Sequence, residues 1–118
     1  MDAQEFKRAL KNINTPRKVM HAGSLHYLDP IREKYVPATP EEEVRQKILQ
    51  YLMKVLRVPK QAISVEYLLS KAGIDSKNRA DIVVLYYEHN DGYWYALGVI
   101  ECKAPDVDIM TEDVKEQV

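Results

Sequence analysis

Two stretches in the first half of the chain repeat hydrophobic residues at the three- and four-residue spacing of a helix. The first predicts a short helix over residues 2–13. The second begins at Thr39, a residue type favoured at helix N-caps, continues with Pro40 in the first turn, and runs to about Leu56. The apolar positions of these two helices are Phe6, Leu10 and Ile13, and Val44, Ile48, Tyr51, Leu52 and Val55.

The segment between these helices, residues 17–38, is punctuated by one glycine and two prolines and predicts irregular structure. His21 and His26 stand five residues apart in this predicted loop, and we interpret them as surface histidines rather than a metal pair. The sequence therefore predicts an N-terminal leader or arm over residues 1–36, followed by a domain over residues 37–118.

The second half of the chain predicts strands. Residues 62–69 alternate loosely, residues 71–78 form a turn-rich connection, and residues 79–105 read as two apolar strands joined by a turn. Residues 106–118 look like the beginning of a helix, so we expect the chain to be a truncated piece of something longer. A mixed α/β fold follows from this order of elements.

Charged residues interrupt the apolar pattern of the central hairpin. Asp81 lies near the start of its first strand, and Glu101 and Lys103 lie together at the end of its second. Burying charged groups in a strand has a desolvation cost, and functional sites are the usual reason for such a local violation. Because strand residues two apart share a face, Glu101 and Lys103 face the same side.

The register of the hairpin decides whether the two carboxylates meet. A regular ladder that pairs Glu88 with Tyr93 would place Asp81 opposite Ile100, so that Glu101 faces away. A bulge or an odd-length loop around residues 90–92, where glycine supplies the residue type needed, would place Asp81 opposite Glu101 instead. We predict that irregularity.

Two opposed carboxylates repel each other unless a proton or a cation lies between them. Oxygen ligands suit Mg²⁺ or Mn²⁺, which lower the pKa of bound water and stabilise charge on a phosphate. The backbone carbonyl of Cys102 would add a ligand, and Lys103 would orient the water or neutralise the transition state. The alternative is a cross-strand ion pair of Asp81 with Lys103 at the rim of the sheet, and spacing alone leaves both interpretations open.

The predicted second helix opens with three carboxylates, Glu41, Glu42 and Glu43. The helix dipole favours negative charge in a first turn, which by itself accounts for all three. Glu42 also completes a capping box with Thr39. At about 100° per residue, Glu41 falls near the apolar stripe while Glu42 and Glu43 point away, so Glu41 is the carboxylate placed to face a site.

Composition limits the classes of function. The chain of 118 residues suits one domain, and its net charge of −1 gives no general argument for nucleic-acid binding. No apolar stretch approaches membrane-helix length, no signal peptide is evident, and the single cysteine fits a reducing compartment, so we expect a cytoplasmic protein. One local basic group is either a solvated surface or a DNA contact: Lys7, Arg8, Lys11, Arg17 and Lys18.

The motif Asp81…Glu101-Cys102-Lys103 resembles the D…(D/E)-x-K motif of the PD-(D/E)xK nuclease superfamily, with Ala80 where the motif's name has Pro. Further blocks resemble the N-terminal nuclease domain of type I restriction enzyme R subunits over residues 37–117. They read PEEEVRQKILQYL, SVEYLL, RADIVVLYY and VIECKAPD. The resemblance implies an αβββαβ core, in which helices flank a mixed sheet and the site lies on the central hairpin.

The same resemblance implies Asp81 and Glu101 as ligands of Mg²⁺ or Mn²⁺ and Lys103 as the catalytic lysine. Glu41, or failing that Glu42, would be the first-helix carboxylate that completes such sites. Gln117 would be the auxiliary glutamine of a Q-x-x-x-Y helix whose tyrosine falls beyond residue 118. DNA, specificity and methylation subunits, and an attached helicase-like motor are the implied partners. ATP would act only through that motor, since these residues contain no Walker A loop.

Three hypotheses follow. The first is the endonuclease domain of a restriction system, which cuts DNA with Mg²⁺ while other subunits supply specificity. The second is a catalytically inactive relative that binds nucleic acid or a partner protein. The near-neutral charge supports this second hypothesis, and the joint presence of Asp81, Glu101 and Lys103 argues against it. The third is a purely structural role, with a rim salt bridge in place of the site.

Overall fold

A computed structural model of the chain describes residues 3–68, 79–103, 106–110 and 114–116, with side chains from 4 to 67 and from 80 to 102. The chain divides into two compact units, one formed by residues 1–58 with 102–107 and one by residues 59–101 with 108–118. The fold is mixed α/β, as predicted. None of the described helices is long and apolar enough to cross a membrane. The assignment of residues 37–118 to a nuclease domain stays a prediction.

The first unit contains both predicted helices. Helix α1 spans Ala3–Leu10, and helix α2 spans Pro40–Gln50 and continues as a π-helical turn over Tyr51–Val55. Phe6 of α1 packs edge-on against Tyr51, with ring centroids 5.1 Å apart. The buried hydrophobic residues of this unit are Phe6, Leu10, Tyr27, Val36, Ile48, Leu49, Tyr51, Leu52 and Cys102.

The start of α2 confirms one half of the predicted capping box. The hydroxyl of Thr39 accepts a hydrogen bond of 3.1 Å from the backbone N–H of Glu42. The reciprocal bond is not formed, because the Thr39 N–H donates to the Pro37 carbonyl at 2.9 Å. The carboxylate of Glu42 is thereby released for other partners.

Residues 17–38 form a three-stranded antiparallel sheet, so the prediction of irregular structure was wrong. Its strands are β1 (Val19–His21), β2 (Ser24–Asp29) and β3 (Lys34–Pro37). Ala22 and Gly23, with φ of 50° and 85°, make the two-residue turn between β1 and β2. Such turns require positive φ at both positions and usually use Asn-Gly or Asp-Gly, so an alanine hides the signal.

His21 and His26 therefore lie in strands and not in a loop. His26 is only 9% exposed and donates its Nδ1–H to the Ser24 carbonyl at 3.0 Å, so the interpretation as a surface residue is wrong for this histidine. His21 is exposed, as predicted, and its ring stacks on Tyr35 at a centroid distance of 4.3 Å.

The strands predicted in the second half of the chain are confirmed. A short 3₁₀ turn over Lys60–Ala62 leads into β4 (Ile63–Leu68), and the central hairpin consists of β5 (Arg79–Glu88) and β6 (Tyr93–Lys103). The predicted connection 71–78 lies outside the described residues. Strands β4 and β6 pair antiparallel with β5 on either side.

The helix expected after residue 105 is not observed in the described residues there. Instead, β7 (Asp106–Met110) lies next to β6, and β8 (Val114–Glu116) pairs antiparallel with Trp94–Ala96 of β6. The alternation of aspartate with Val107 and Ile109 suits a strand, and it outweighs the helix interpretation that the motif had favoured. Helix α2 and strands β4–β6 thus supply the first four elements of the αβββαβ order.

Asp91 fixes the turn of the hairpin. One carboxylate oxygen accepts a hydrogen bond of 2.9 Å from the Tyr93 backbone N–H, and the other accepts one from the Tyr95 hydroxyl. The bond to Asp91 raises the pKa of the Tyr95 phenol to about 12, because it stabilises the protonated hydroxyl. The ring of Tyr95 also stacks on Tyr86 across the hairpin, at 5.4 Å between centroids.

Candidate metal centre

The central hairpin carries the two predicted carboxylates, and its ladder contains one extra residue. Near the turn, Glu88 pairs with Tyr93 across a four-residue connection. Farther along, the register shifts by one, because Leu97 has no partner on β5 and forms a β-bulge. The pairs on the two sides of the shift are Leu85 with Ala96, and Val84 with Gly98.

This bulge aligns Asp81 with Glu101. Beyond it, the ladder pairs Ile82 with Ile100, and the next step of the same register places Asp81 opposite Glu101. An uninterrupted ladder would have placed Asp81 opposite Ile100 instead. The predicted irregularity in the hairpin is therefore confirmed.

The position of the irregularity differs from the prediction. Gly92 has a φ of 75° but serves the turn, where its N–H donates to the Glu88 carbonyl at 2.8 Å. The bulge lies five residues farther on at Leu97, whose side chain is 47% exposed. Because a bulged residue leaves the alternation, an apolar side chain can point to solvent there without displacing the buried positions around it.

The two carboxylates stand at the edge of an apolar surface. Asp81 and Glu101 are each half-buried, and the pair Val83 and Val99, which shares their face, is 1% and 3% exposed. Low-dielectric surroundings on one side strengthen the repulsion between two carboxylates. A hard divalent cation with oxygen ligands relieves that repulsion, so this donor set fits Mg²⁺ or Mn²⁺.

The remaining motif residues follow Glu101 along β6. Cys102 is 2% exposed and takes the face opposite Glu101, so its side chain packs as a small buried hydrophobe. Lys103 is the last residue of β6, and its side chain lies outside the described part of the chain. Gln117 lies outside the described residues as well, so its auxiliary role stays a prediction.

The sequence analysis did not single out Glu66. This residue is on β4, and it lies next to Asp81 on the side of β5 that faces away from β6. The pairs Val65 with Ile82 and Tyr67 with Ala80 leave Glu66 beside Asp81 in the β4–β5 ladder. Its φ of 55° is unusual for a non-glycine residue inside a strand. Among the described residues, no group of three or more His, Cys, Asp and Glu side chains is arranged to hold a metal ion. The candidate ligands among the described residues are therefore the Asp81–Glu101 pair, and their role as metal ligands stays a prediction.

We expect substitution of Glu66 by glycine to relieve the backbone strain at this position. Glu66→Gly should unfold with a free energy about 1 kcal/mol higher than Glu66→Ala, because both lose the carboxylate but only glycine adopts positive φ without a Cβ clash. Urea denaturation of the two variants measures the difference. Equal stabilities would show that the left-handed backbone at this position carries no strain.

The predicted orientations of Glu41 and Glu42, at the start of α2, are wrong: Glu42 points inward and Glu41 is exposed. Glu42, expected to point away, is 6% exposed and accepts hydrogen bonds from Arg32 at 2.5 Å, Arg45 at 2.5 Å and Gln46 at 3.0 Å. The side chain of Glu41 is 52% exposed and lies 3.4 Å from the Arg45 guanidinium. The buried Arg45 and the half-buried Arg32 reverse the expected orientation, since they stabilise a carboxylate on the inner side of the helix.

Arg32 and Gln46, which bind Glu42, also bind Asp29, a fully buried residue at the end of β2. Its carboxylate accepts hydrogen bonds from the backbone N–H groups of Ile31 at 2.8 Å and Arg32 at 2.6 Å. It also accepts from the Arg32 guanidinium at 3.0 and 2.8 Å, and from the Gln46 amide at 2.8 Å. We call Asp29, Arg32, Glu42, Arg45 and Gln46 the Asp29 cluster.

Burial alone would raise the pKa of Asp29. The hydrogen bonds from the Arg32 backbone and guanidinium, the charge of Arg32 and the Gln46 amide outweigh that effect and hold the pKa below its ordinary value of 3.8. Asp29 is therefore ionised at neutral pH. The cluster provides the hydrogen-bond partners of the Glu42 carboxylate within the first unit. Of the two proposed first-helix carboxylates, only Glu41 is exposed. A catalytic role for Glu41 or Glu42 stays a prediction.

Comparison with protein families matches residues 40–118, more than half of the chain, to the type I restriction enzyme R protein N terminus. The chain belongs to this family. The match begins at the first residue of α2 and covers the hairpin with Asp81, Glu101 and Lys103. No curated protein and no solved structure matches the chain.

Membership in the R-protein family confirms the resemblance drawn from the IECKAP block and its neighbours. The chain is the N-terminal region of a type I restriction enzyme R subunit. Residues 1–39 lie outside the matched range, but Asp29 and Arg32 among them share the Asp29 cluster with α2.

Proposed function

We propose that this R-protein chain is a metal-dependent endonuclease domain that hydrolyses DNA phosphodiester bonds. The observation that carries the proposal is the bulge at Leu97, which brings Asp81 opposite Glu101 at the half-buried edge of an apolar surface. A structural hairpin has no need of a bulge that opposes two like charges, since like charges opposite each other destabilise a sheet.

Asp81 and Glu101 would hold Mg²⁺ or Mn²⁺, and the Cys102 carbonyl would add a further oxygen. When bound, the ion supplies a Lewis acid that lowers the pKa of a coordinated water and stabilises negative charge on the phosphate. Lys103, two residues beyond Glu101 on the same strand, would orient the attacking water or neutralise charge on the phosphorus in the transition state.

The wider assignments rest on the family. A type I R subunit acts with DNA, and we propose that a helicase-like motor elsewhere in the full protein uses ATP while partner subunits supply specificity and methylation. A cytoplasmic location accords with a DNA substrate and with the single cysteine. Sequence specificity would not reside in this chain.

A calorimetric Mn²⁺ titration of the 118-residue chain beside Asp81→Ala tests the site. We expect the parent to bind and the variant to lose at least about tenfold in affinity, because one of the two carboxylate ligands is removed. Glu101→Gln should behave like Asp81→Ala, since it also removes an ionised ligand. Glu43→Ala is the matched control, because it removes an exposed carboxylate from α2 and should bind like the parent.

Mn²⁺ binding needs no motor, so this readout separates the site from the rest of the enzyme. Equal binding by the parent and Asp81→Ala, or no binding by either, would contradict the nuclease proposal. The inactive module that binds nucleic acid or a partner would then be favoured. Loss in both site variants would justify cleavage assays with the full R subunit, where Lys103→Gln should keep Mn²⁺ binding but lose cleavage.

A further inference from the structure

Positive charge is concentrated at the start of the chain. The first 18 residues hold five basic and two acidic residues and carry a net charge of +3, although the whole chain is at −1. The remaining residues are therefore net acidic, at −4. Such asymmetry within one chain is a feature of segments that bind polyanions.

Helix α1 is held in place by its apolar side. Phe6 and Leu10 are 4% and 7% exposed, and the ring of Phe6 contacts Tyr51. Arg8 and Lys11 are exposed. At 100° per residue Arg8 points away from the buried pair, and Lys11 directly follows the helix. Both cations therefore project to solvent at the end of a helix that is anchored to the first unit.

We call residues 7–18 the basic segment, and its second part is also anchored. Arg17 and Lys18 are exposed and directly precede β1. The ammonium of Lys18 lies 6.0 Å from the centroid of the Tyr27 ring, and Tyr27 is fully buried in the same unit. At that distance the ring attracts the cation and limits the positions it occupies.

The helix dipole accounts for only part of this pattern. It favours cations in the last turn of α1, which explains Lys7 and Arg8. Lys11 directly follows the last helical residue and is still close to the dipole, whereas Arg17 and Lys18 lie well outside the helix, where the dipole has no effect. A separate reason for Arg17 and Lys18 is needed.

We propose that Arg8, Lys11, Arg17 and Lys18 form a docking surface for the phosphate backbone of duplex DNA, without sequence preference. The inference rests on the proposed function, because it names where the DNA substrate meets the chain outside the Asp81–Glu101 pair. Duplex DNA carries one negative charge per about 1.7 Å of its axis, so lysines and arginines along one segment meet several phosphates. The acidic remainder of the chain leaves this segment as the place where a polyanion is attracted.

The test is the salt dependence of binding to a fluorescent 30-base-pair duplex, measured by anisotropy with the 118-residue chain. Each lost phosphate contact should reduce the slope of log affinity against log salt by about 0.9. The quadruple variant Arg8→Gln, Lys11→Gln, Arg17→Gln, Lys18→Gln should therefore lose up to about 3.6 in slope and at least tenfold in affinity at moderate salt.

A matched control removes the same charge from other places. Four lysines that are exposed or half-buried outside the segment are replaced by glutamine: Lys34, Lys47, Lys54 and Lys60. This variant should keep the slope of the parent to within about one unit. Lys11→Arg with Lys18→Arg should also keep it, because the positive charges remain.

Each outcome decides the proposal. Equal losses in the quadruple variant and the control would show that net charge alone drives binding. Unchanged binding by the quadruple variant, or no binding by the parent, would equally overturn the proposed surface. If the quadruple variant does not fold, the two double variants, Arg8→Gln with Lys11→Gln and Arg17→Gln with Lys18→Gln, should each lose about half of the slope.

Mn²⁺ binding separates this proposal from the nuclease site. The quadruple variant should lose the duplex but bind Mn²⁺ like the parent. A parent that binds the duplex through the basic segment but binds no Mn²⁺ would leave the docking surface standing and overturn the nuclease site alone.

Discussion

Insertion of one alanine between Leu97 and Gly98 is expected to lower the Mn²⁺ affinity by about tenfold or more. If the present bulge is kept, the added residue places Asp81 opposite Ile100 and turns Glu101 to the other face. If the ladder becomes regular, Asp81 stands opposite Val99, and Glu101 lies two residues, or about 7 Å, too far along the strand. Calorimetric titration of the variant against the parent measures the loss.

Deletion of Leu97 should have the opposite outcome. It removes the unpaired residue and leaves a regular ladder in which Asp81 still faces Glu101, so the Mn²⁺ affinity should stay within a few-fold of the parent. An alanine inserted into the turn 89–92 controls for the disturbance of an insertion, because hairpin connections accommodate length changes. Equal Mn²⁺ binding by the Leu97 insertion and the Leu97 deletion would contradict a site built on the opposition of these carboxylates.

Asp29→Ala is expected to lower the free energy of unfolding by about 3–5 kcal/mol at neutral pH. The substitution leaves the backbone N–H groups of Ile31 and Arg32 and the amide of Gln46 without their buried acceptor. Glu43→Ala, an exposed change on α2, should shift the same quantity by less than about 0.5 kcal/mol. Urea denaturation followed by circular dichroism compares the three proteins.

The pH dependence of this difference has a defined sign. Because the folded-state pKa of Asp29 lies below 3.8, its ionised form stabilises the native state at pH values above 3.8. That contribution is lost as pH falls through the folded-state pKa. The stability gap between the parent and Asp29→Ala should be constant above about pH 5 and narrow progressively below about pH 4. A gap that widens with acid would show that the native state binds the proton more tightly than the unfolded chain.

The sequence predicted the elements whose signals are local. Alternation and apolar runs identified β4, β5 and β6, and the Thr39-Pro40 pair identified the start of α2. The need for an irregularity in the hairpin followed from the requirement that Asp81 and Glu101 meet. Its location could not be derived, because a bulge depends on which side chains of β6 are buried against the rest of the sheet.

Contacts between elements of the chain explain the predictions that were wrong. Glu42 is buried because Arg32, ten residues earlier, reaches its carboxylate, and helical periodicity on α2 contains no information about that partner. The turn at Ala22 and Gly23 was missed because tertiary pairing of β1 with β2 imposes positive φ on an alanine. The spacing of Glu42, Arg45 and Gln46 by three and four residues was a local signal that a search for helix-surface pairs would have found.

The Asp29 cluster also determines where this chain can be truncated without loss of its fold. Family similarity begins at Pro40, but Asp29 and Arg32 precede that point, while Glu42, Arg45 and Gln46 follow it. A chain that starts at Pro40 would keep the second half of the cluster and lose the first, together with β2, which ends at Asp29. The boundary of sequence similarity is therefore not a boundary of folding, and a self-sufficient fragment must retain the small N-terminal sheet.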